Sequence, residues 1–249
     1  MSNPRIIGID SLSPVSKSIL DTATHELGQA PSFWGRYFTS ANTNGSGEYH
    51  HRTENPVLKD TGIRILPIAR QTNNVHDTQE HGFRDGLANA LDIIATFGAE
   101  YLIEMGGKIR IFLDVEGSQM SHLSVGYYTG WCNGLKRVPE EIEFIPCVYG
   151  IPGDSITWLS LQKAILIRDS TNVMCGGVWL SHPYSPRSRN EPVEWNPKML
   201  IPYQQLDYIE ILLWQYLFGD NNHLLFDRSI VNPNLADASE FLSTLILPP

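Results

Sequence analysis

The feature that most constrains the fold is an alternation of short apolar segments with segments of helical periodicity. Seven apolar segments have the length and residue content of buried strands. Between the early ones, apolar side chains recur at three- and four-residue spacing, which predicts helices. After residue 182 this rhythm is lost until a last helix predicted at 235–247. The predicted strands are 5–10, 32–38, 63–69, 109–115, 143–149, 174–180 and 208–216.

The alternation runs without a break in composition, so it predicts one α/β domain over residues 1–249. The strand count favours an irregular TIM (β/α) barrel over an open sheet, with fewer helices in the C-terminal third. An eighth strand can be placed near residues 199–203, although periodicity does not decide it. No G-x-G-x-x-G or Walker pattern is present, which disfavours nucleotide-binding folds.

The strand at 109–115 ends in two carboxylates, Asp114 and Glu116. Side chains alternate along a strand, so both acids project to one side, away from the helices. Asp10 ends the first strand and Asp227 follows the last predicted one. In a closed barrel the first and last strands are neighbours, so we expect all four acids at one end. A helix-capping Asp114 and a solvated Glu116 explain the pair equally well when it is taken alone.

Clustered carboxyl groups raise one another's pKa, so one can hold a proton while another stays ionised. Cleavage of a glycosidic bond requires such a division. Residues i and i+2 on a strand lie roughly 6.5–7 Å apart, outside the roughly 5–5.5 Å of a double-displacement pair. Asp114 and Glu116 therefore fit a substrate-assisted or water-activating scheme better than a nucleophile–acid pair.

Three short motifs carry a resemblance to a known family. Gly8-Ile-Asp10, Leu113-Asp-Val-Glu116, and Leu213-Trp-Gln-Tyr216 followed by Asp227 resemble the family 25 glycoside hydrolases, the lysozyme-type muramidases. Gly35-Arg-Tyr-Phe38 and the segment 65–71 are still more similar to the related glycoside-hydrolase-like TIM barrels, first catalogued as a domain of unknown function. The resemblance extends from about residue 6 to residue 241.

The resemblance implies an irregular barrel without a metal or other cofactor that cleaves peptidoglycan after N-acetylmuramic acid. Carried over by motif, Glu116 is the general acid, and Asp114 orients the substrate N-acetyl group or stabilises developing charge. Asp10 and Asp227 are supporting acids. The residues expected to contact the polysaccharide substrate are Tyr37, Gln71, Tyr149, Trp179, Trp214 and Tyr216. For the two tryptophans, core packing is an equally good interpretation.

The composition argues against several other classes of protein. The net charge is −9 and basic runs are short, which disfavours binding to nucleic acid or to an anionic membrane. The longest apolar run, 211–218, is too short to span a bilayer.

No signal peptide is visible, so we expect synthesis in the cytoplasm and, for a wall-degrading enzyme, export by a non-classical route. Cys132, Cys147 and Cys175 form no disulfide framework.

Histidines do not suggest a metal site. His76 and His81 lie in a segment that is interpreted as a solvated loop, and no H-E-x-x-H pattern is present. His50 and His51 are also assigned to a surface loop.

Three hypotheses remain open on the sequence alone. The first is a glycoside hydrolase with Glu116 as its acid. The second is a catalytically silent barrel that binds glycan or an unknown protein partner through the same cleft. A third is a hydrolase or isomerase of another class on this fold. Convergence of the four acids on one open groove would favour the first.

Overall fold

The computed structural model describes residues 5–39, 49–71, 73–116, 122–166, 174–181, 194–196, 209–219 and 226–249. Within these ranges the chain forms a closed barrel of eight strands surrounded by helices. The predicted α/β class and irregular TIM-like barrel are therefore confirmed. The strands are β1 (Ile7–Asp10), β2 (Phe33–Tyr37), β3 (Arg64–Ala69), β4 (Lys108–Val115), β5 (Glu143–Gly150), β6 (Val178–Ser181), β7 (Ile211–Leu217) and β8 (Asp227–Val231).

The strands follow one another around the barrel in chain order. Neighbours from β1 to β7 pair in parallel, whereas β8 pairs antiparallel with both β7 and β1. The eighth strand is thus 227–231, and the residues near 199–203 lie outside the described part of the chain. Because β8 runs in reverse, its first residue lies at the edge where the other strands end.

The described residues form seven helices: α1 (Lys17–Leu27), α2 (His51–Thr61), α3 (Gln79–Phe97), α4 (Ala99–Glu104), α5 (Val125–Leu135), α6 (Ser155–Leu166) and α7 (Ala238–Ser243). Side chains of Ser16, Thr78 and Ser124 cap the amino-terminal ends of α1, α3 and α5. None of these helices is long and apolar enough to cross a membrane.

The assignment of His51 to a loop is wrong, because α2 begins at this residue, whereas His50 precedes the helix. The Glu54 side chain accepts a hydrogen bond of 2.8 Å from the His50 backbone N–H. This contact satisfies a donor at the helix start that has no partner within the helix.

A fully buried ion pair fixes the chain that leaves β1. Arg36 and Glu54 are both 0% exposed, with Arg36 Nε 2.9 Å from Glu54 Oε2. Arg36 also donates to the backbone oxygens of Ser11 and Ser13 at 2.5 and 3.2 Å. Glu54 accepts from the Val15 backbone N–H at 2.9 Å. These contacts connect β2 and α2 to the β1–α1 loop.

Helices α3 and α5 pack through glycines in direct backbone contact. A Cβ placed on Gly82, Gly86, Gly130 or Gly134 would lie 1.9–2.2 Å from a backbone carbonyl oxygen of the other helix. Larger residues would hold the helices further apart. The close packing therefore fixes the spacing between α3 and α5, the helix that follows β4 in the chain.

The C-terminal segment covers the amino-terminal end of the barrel. Phe241 and Leu245 pack against the residues that fill the barrel interior. The Arg110 backbone N–H donates to Thr244 O at 3.1 Å, and Ile246 bridges to Ile65. The helix here is shorter than the predicted 235–247. With the amino-terminal end covered, a binding site is expected at the carboxyl-terminal end of the barrel.

Candidate active site

A cleft of about 290 Å³ lies at the carboxyl-terminal end of the barrel. All four candidate acids line it. The described lining residues are Asp10, Tyr37, Ile68, Asp114, Glu116, Tyr149, Trp179, Gln215 and Asp227.

Asp10 and Asp227 meet because of the strand directions. They are direct partners in the antiparallel β1–β8 pair. Asp227 was expected after the last strand, but it is the first residue of β8. The reversed direction of β8 brings this residue to the edge where β1 ends, so the two carboxyl groups become neighbours.

Asp114 and Glu116 approach the cleft from β4, as the alternation of the strand predicted. Leu113 and Val115 point outward into the core beneath the helices. Asp114 is 5% exposed within β4, whereas Glu116 is exposed just beyond the strand end. One acid therefore lies deep in the cleft and the other at its mouth.

Hydrogen bonds connect Gln215 on β7 to the acids. Its Nε2 donates to Asp227 Oδ2 at 2.9 Å and lies 3.5 Å from Asp10 Oδ2. Tyr149 Oη donates to Gln215 Oε1 at 2.7 Å. The backbone N–H of Gly219 donates to Asp227 Oδ1 at 2.5 Å.

Burial and mutual repulsion shift the pKa values of the acid pair. Burial raises the pKa of Asp10 well above its usual value, and the charges of Asp227 and Asp114 raise it further. The pKa of Asp227 is also raised, first by burial and then by Glu116, against hydrogen bonds from Gly219 and Gln215 that lower it. The pair is therefore poised to hold a proton at a pH where ordinary aspartates have lost theirs.

Aromatic side chains form the walls between the acids. The Trp179 ring is 2% exposed, and its Nε1 donates to Ser229 Oγ at 3.1 Å. Its centroid is 4.8 Å from that of Tyr149, edge to face. Tyr37 lies beneath the guanidinium of Arg70, which is 5.4 Å from the ring centroid. Burial raises the pKa values of Tyr37 and Tyr149 first, so both hydroxyls remain donors.

Three of the six expected substrate-binding residues are absent from the described lining of the cleft. Trp214 and Tyr216 pack outward, 6.0 Å apart between ring centroids, in the core outside the barrel. Gln71 is 6% exposed and its side chain donates to Thr39 O at 3.2 Å. Gln215, between the two outward aromatic residues, is the inward residue that sequence reasoning missed.

His81, one of the histidines considered for a metal site, contacts aspartate side chains. His81 lies in α3 rather than in a loop, with Nδ1 2.6 Å from Asp77 Oδ2 and Nε2 3.9 Å from Asp85 Oδ1. Among the described residues, no group of three or more His, Cys, Asp or Glu side chains could hold a metal ion.

Comparison with known proteins yields matches to solved structures. No family model and no curated protein matches the chain. An uncharacterized protein from B. stearothermophilus is 18% identical with a TM-score of 0.68, and the match covers 96% of this chain and 99% of that one. A family 25 glycosyl hydrolase from Bacillus anthracis is 13% identical with a TM-score of 0.44, over 95% and 92% of the two chains. The first likeness supports the barrel fold.

Proposed function

We propose that this protein is a glycoside hydrolase that cleaves an N-acetylated, peptidoglycan-type glycan in the acidic cleft. The observation that carries the proposal is the convergence of Asp10, Asp114, Glu116 and Asp227 on one cleft with aromatic walls. Carboxyl groups in unlike environments can divide the roles of proton donor and charged stabiliser. Aromatic faces and edges suit the apolar faces of sugar rings.

Glu116 is the proposed general acid. It is the exposed acid at the cleft mouth, so it can reach the oxygen between two sugars and protonate it as the bond to the anomeric carbon breaks. Asp114, which lies deeper in the cleft, is the proposed acceptor of a hydrogen bond from the substrate N-acetyl nitrogen. The acetyl oxygen then attacks the anomeric carbon, and water opens the resulting ring.

The cleft also favours a particular charge on the substrate. Its described lining holds four carboxyl groups and no Lys or Arg side chain. A field of this sign repels anionic sugars and phosphates. An uncharged sugar backbone is therefore preferred, as in peptidoglycan whose lactyl carboxyl groups are amide-linked to peptide. Neutral N-acetylated oligosaccharides should compete for the cleft better than uronic acid oligomers of equal length.

A catalytically silent glycan-binding barrel is the second candidate. It is favoured by the internal contacts of Asp227, whose two carboxylate oxygens both accept hydrogen bonds from the protein. A purely structural acid pair would look similar. In that case Glu116 would contact the glycan without transferring a proton.

Product analysis separates these candidates. Purified peptidoglycan is incubated with the protein, and soluble fragments are reduced and identified by mass. We expect fragments with reduced N-acetylmuramic acid ends. Ends of N-acetylglucosamine would keep a glycosidase but refute the proposed bond. No fragments from peptidoglycan or chitin oligomers, with the protein folded, would refute the enzyme and favour the binding barrel.

A further inference from the structure

A directed series of hydrogen bonds crosses the floor of the cleft. The Ser181 side chain on β6 hydrogen-bonds the Tyr149 hydroxyl on β5. Tyr149 donates to Gln215 Oε1 at 2.7 Å, and Gln215 Nε2 donates to Asp227 Oδ2 at 2.9 Å. Four strands thus contribute one group each, and each group sets the direction of the next.

The contact with Tyr149 fixes which end of the Gln215 amide faces the acids. A phenol that donates to Oε1 leaves Nε2 on the opposite side, toward Asp227 and Asp10. An amide nitrogen has two N–H donors and cannot accept. At 1% exposure the Gln215 side chain has little access to water that could replace these partners.

The two aspartates differ in the hydrogen bonds that they accept in this arrangement. Asp227 has a short donor on each oxygen, Gln215 at 2.9 Å and the Gly219 N–H at 2.5 Å. Asp10 is 5% exposed and lies 3.5 Å from the shared amide nitrogen, at the limit of a hydrogen bond. Donors favour the charged form of a carboxyl group, whereas burial without short donors favours the protonated form.

We infer that Gln215, oriented by Tyr149, is a positioning residue that places the negative charge of the acid pair on Asp227 and the proton on Asp10. The pair then carries one negative charge at pH values where Asp227 is ionised and Asp10 still holds its proton. Asp227 can stabilise positive charge that develops on the sugar, and Asp10 can donate a hydrogen bond to it. This catalytic use rests on the function proposed above, but the charge assignment does not.

Other charged groups also act on the pair. Asp114 and Asp227 raise the pKa of Asp10, and Arg36 lowers it from behind β2. Glu116 raises the pKa of Asp227. Tyr37 and Tyr149 face the same acids and stay protonated because burial raises their pKa values. Gln215 Nε2 lies within 3.5 Å of both aspartates, so it can divide the proton between them.

The test is a carboxyl-carbon NMR titration of the full chain, labelled at aspartate and without substrate. In the wild type we expect the lower-pH step mainly in the Asp227 signal and the higher step mainly in the Asp10 signal. Gln215→Met removes the donor, so the Asp227 midpoint should rise by about 1–2 pH units. Tyr149→Phe should move it in the same direction. Tyr216→Phe, on the outward face of β7, is the matched control and should move neither midpoint.

If Asp10 loses its proton at a lower pH than Asp227 in the wild type, the inference is overturned by this result alone. An unchanged Asp227 midpoint in folded Gln215→Met and Tyr149→Phe proteins would also overturn it. Glycan cleavage is read separately. If the titrations follow expectation while no glycan is cleaved, the proposed function fails and the charge assignment stands.

Discussion

Replacement of Gly130 by Ala tests the close packing of α3 against α5 in the most direct way. The added Cβ would lie 1.9 Å from the Gln79 carbonyl oxygen and 2.8 Å from the Phe83 backbone nitrogen. Real Cβ contacts are essentially never under 3.0 Å, so the oxygen and the new methyl must separate by about 1 Å. Both contacts are with backbone, so no side chain can rotate away to relieve them.

Two opposing contributions set the magnitude. Replacement of Gly by Ala in a helix interior stabilises the folded protein by roughly 0.5–1 kcal/mol when the new methyl group meets no other atom. Overpacking typically costs about 1–3 kcal/mol, and a rigid backbone contact belongs at or above the upper end. We therefore expect a net loss of about 2–3 kcal/mol, which lowers Tm by roughly 4–12 °C for a chain of this size.

The assay is thermal unfolding followed by circular dichroism, with Gly153→Ala as the matched control. A Cβ on Gly153 meets no atom within 4 Å, and Gly153 does not have a positive φ. That variant should change stability by less than about 0.5 kcal/mol. If Gly130→Ala were as stable as the wild type or more so, the direct backbone contact between the two helices would be refuted.

Two further predictions concern buried charges. Arg36→Met leaves the buried Glu54 carboxylate without its ion-pair partner, so urea unfolding should show that the free energy of unfolding falls by about 3–5 kcal/mol. The double variant Arg36→Met/Glu54→Leu should recover part of this loss. A loss below about 1 kcal/mol in Arg36→Met would contradict the stabilising role of the ion pair. The pKa of Asp10 is raised in the folded state. Between the usual aspartate pKa and this raised value, the folded protein therefore binds more protons than the unfolded chain. The free energy of unfolding falls as the pH rises through this range. Asp10→Asn should therefore be roughly 0.5–2 kcal/mol more stable than the wild type at pH about 7 and no more stable below pH about 4. An equal difference at both pH values would show that burial of the charge is not the cause.

Much of the fold could be predicted because its strands and helices carry strong periodic signals. Side chains of the segment from Ile109 to Val115 point alternately into and out of the barrel, so the inward direction of Asp114 could be predicted from its position in the strand. The seven predicted strand segments all overlap strands of the structure. Their order around the barrel follows from chain order, as parallel β–α units require.

The eighth strand could not be predicted in the same way. The sequence of β8, Asp-Arg-Ser-Ile-Val, has only two apolar residues. Its polar side chains are satisfied by distant partners, such as the 2.6 Å ion pair of Arg228 with Glu26. Local periodicity contains no sign of such contacts, which exist only once the barrel has closed.

The assignment of β7 failed at the level of side-chain direction. Aromatic character pointed to Trp214 and Tyr216, but these pack outward and Gln215 points inward. The pairing of β6 with β7 is irregular, and Leu212 and Leu213 both pack with the inner core. A bulge of this kind breaks the period of two, so counting alone could not assign the directions. A lone amide in an apolar strand was the signal available, because a buried polar group requires partners.

The most direct test of the proposed chemistry is the initial rate at which soluble fragments are released from purified peptidoglycan. The rates of the wild type and Glu116→Gln are compared at equal concentration, with Glu140→Gln as an exposed control before β5, at the opposite end of the barrel. Loss of a general acid typically lowers a rate by about 10²–10⁴-fold. We predict a fall of at least about 100-fold for Glu116→Gln and no change for Glu140→Gln. Equal rates for the wild type and Glu116→Gln would contradict the role of Glu116 and the proposed use of the cleft.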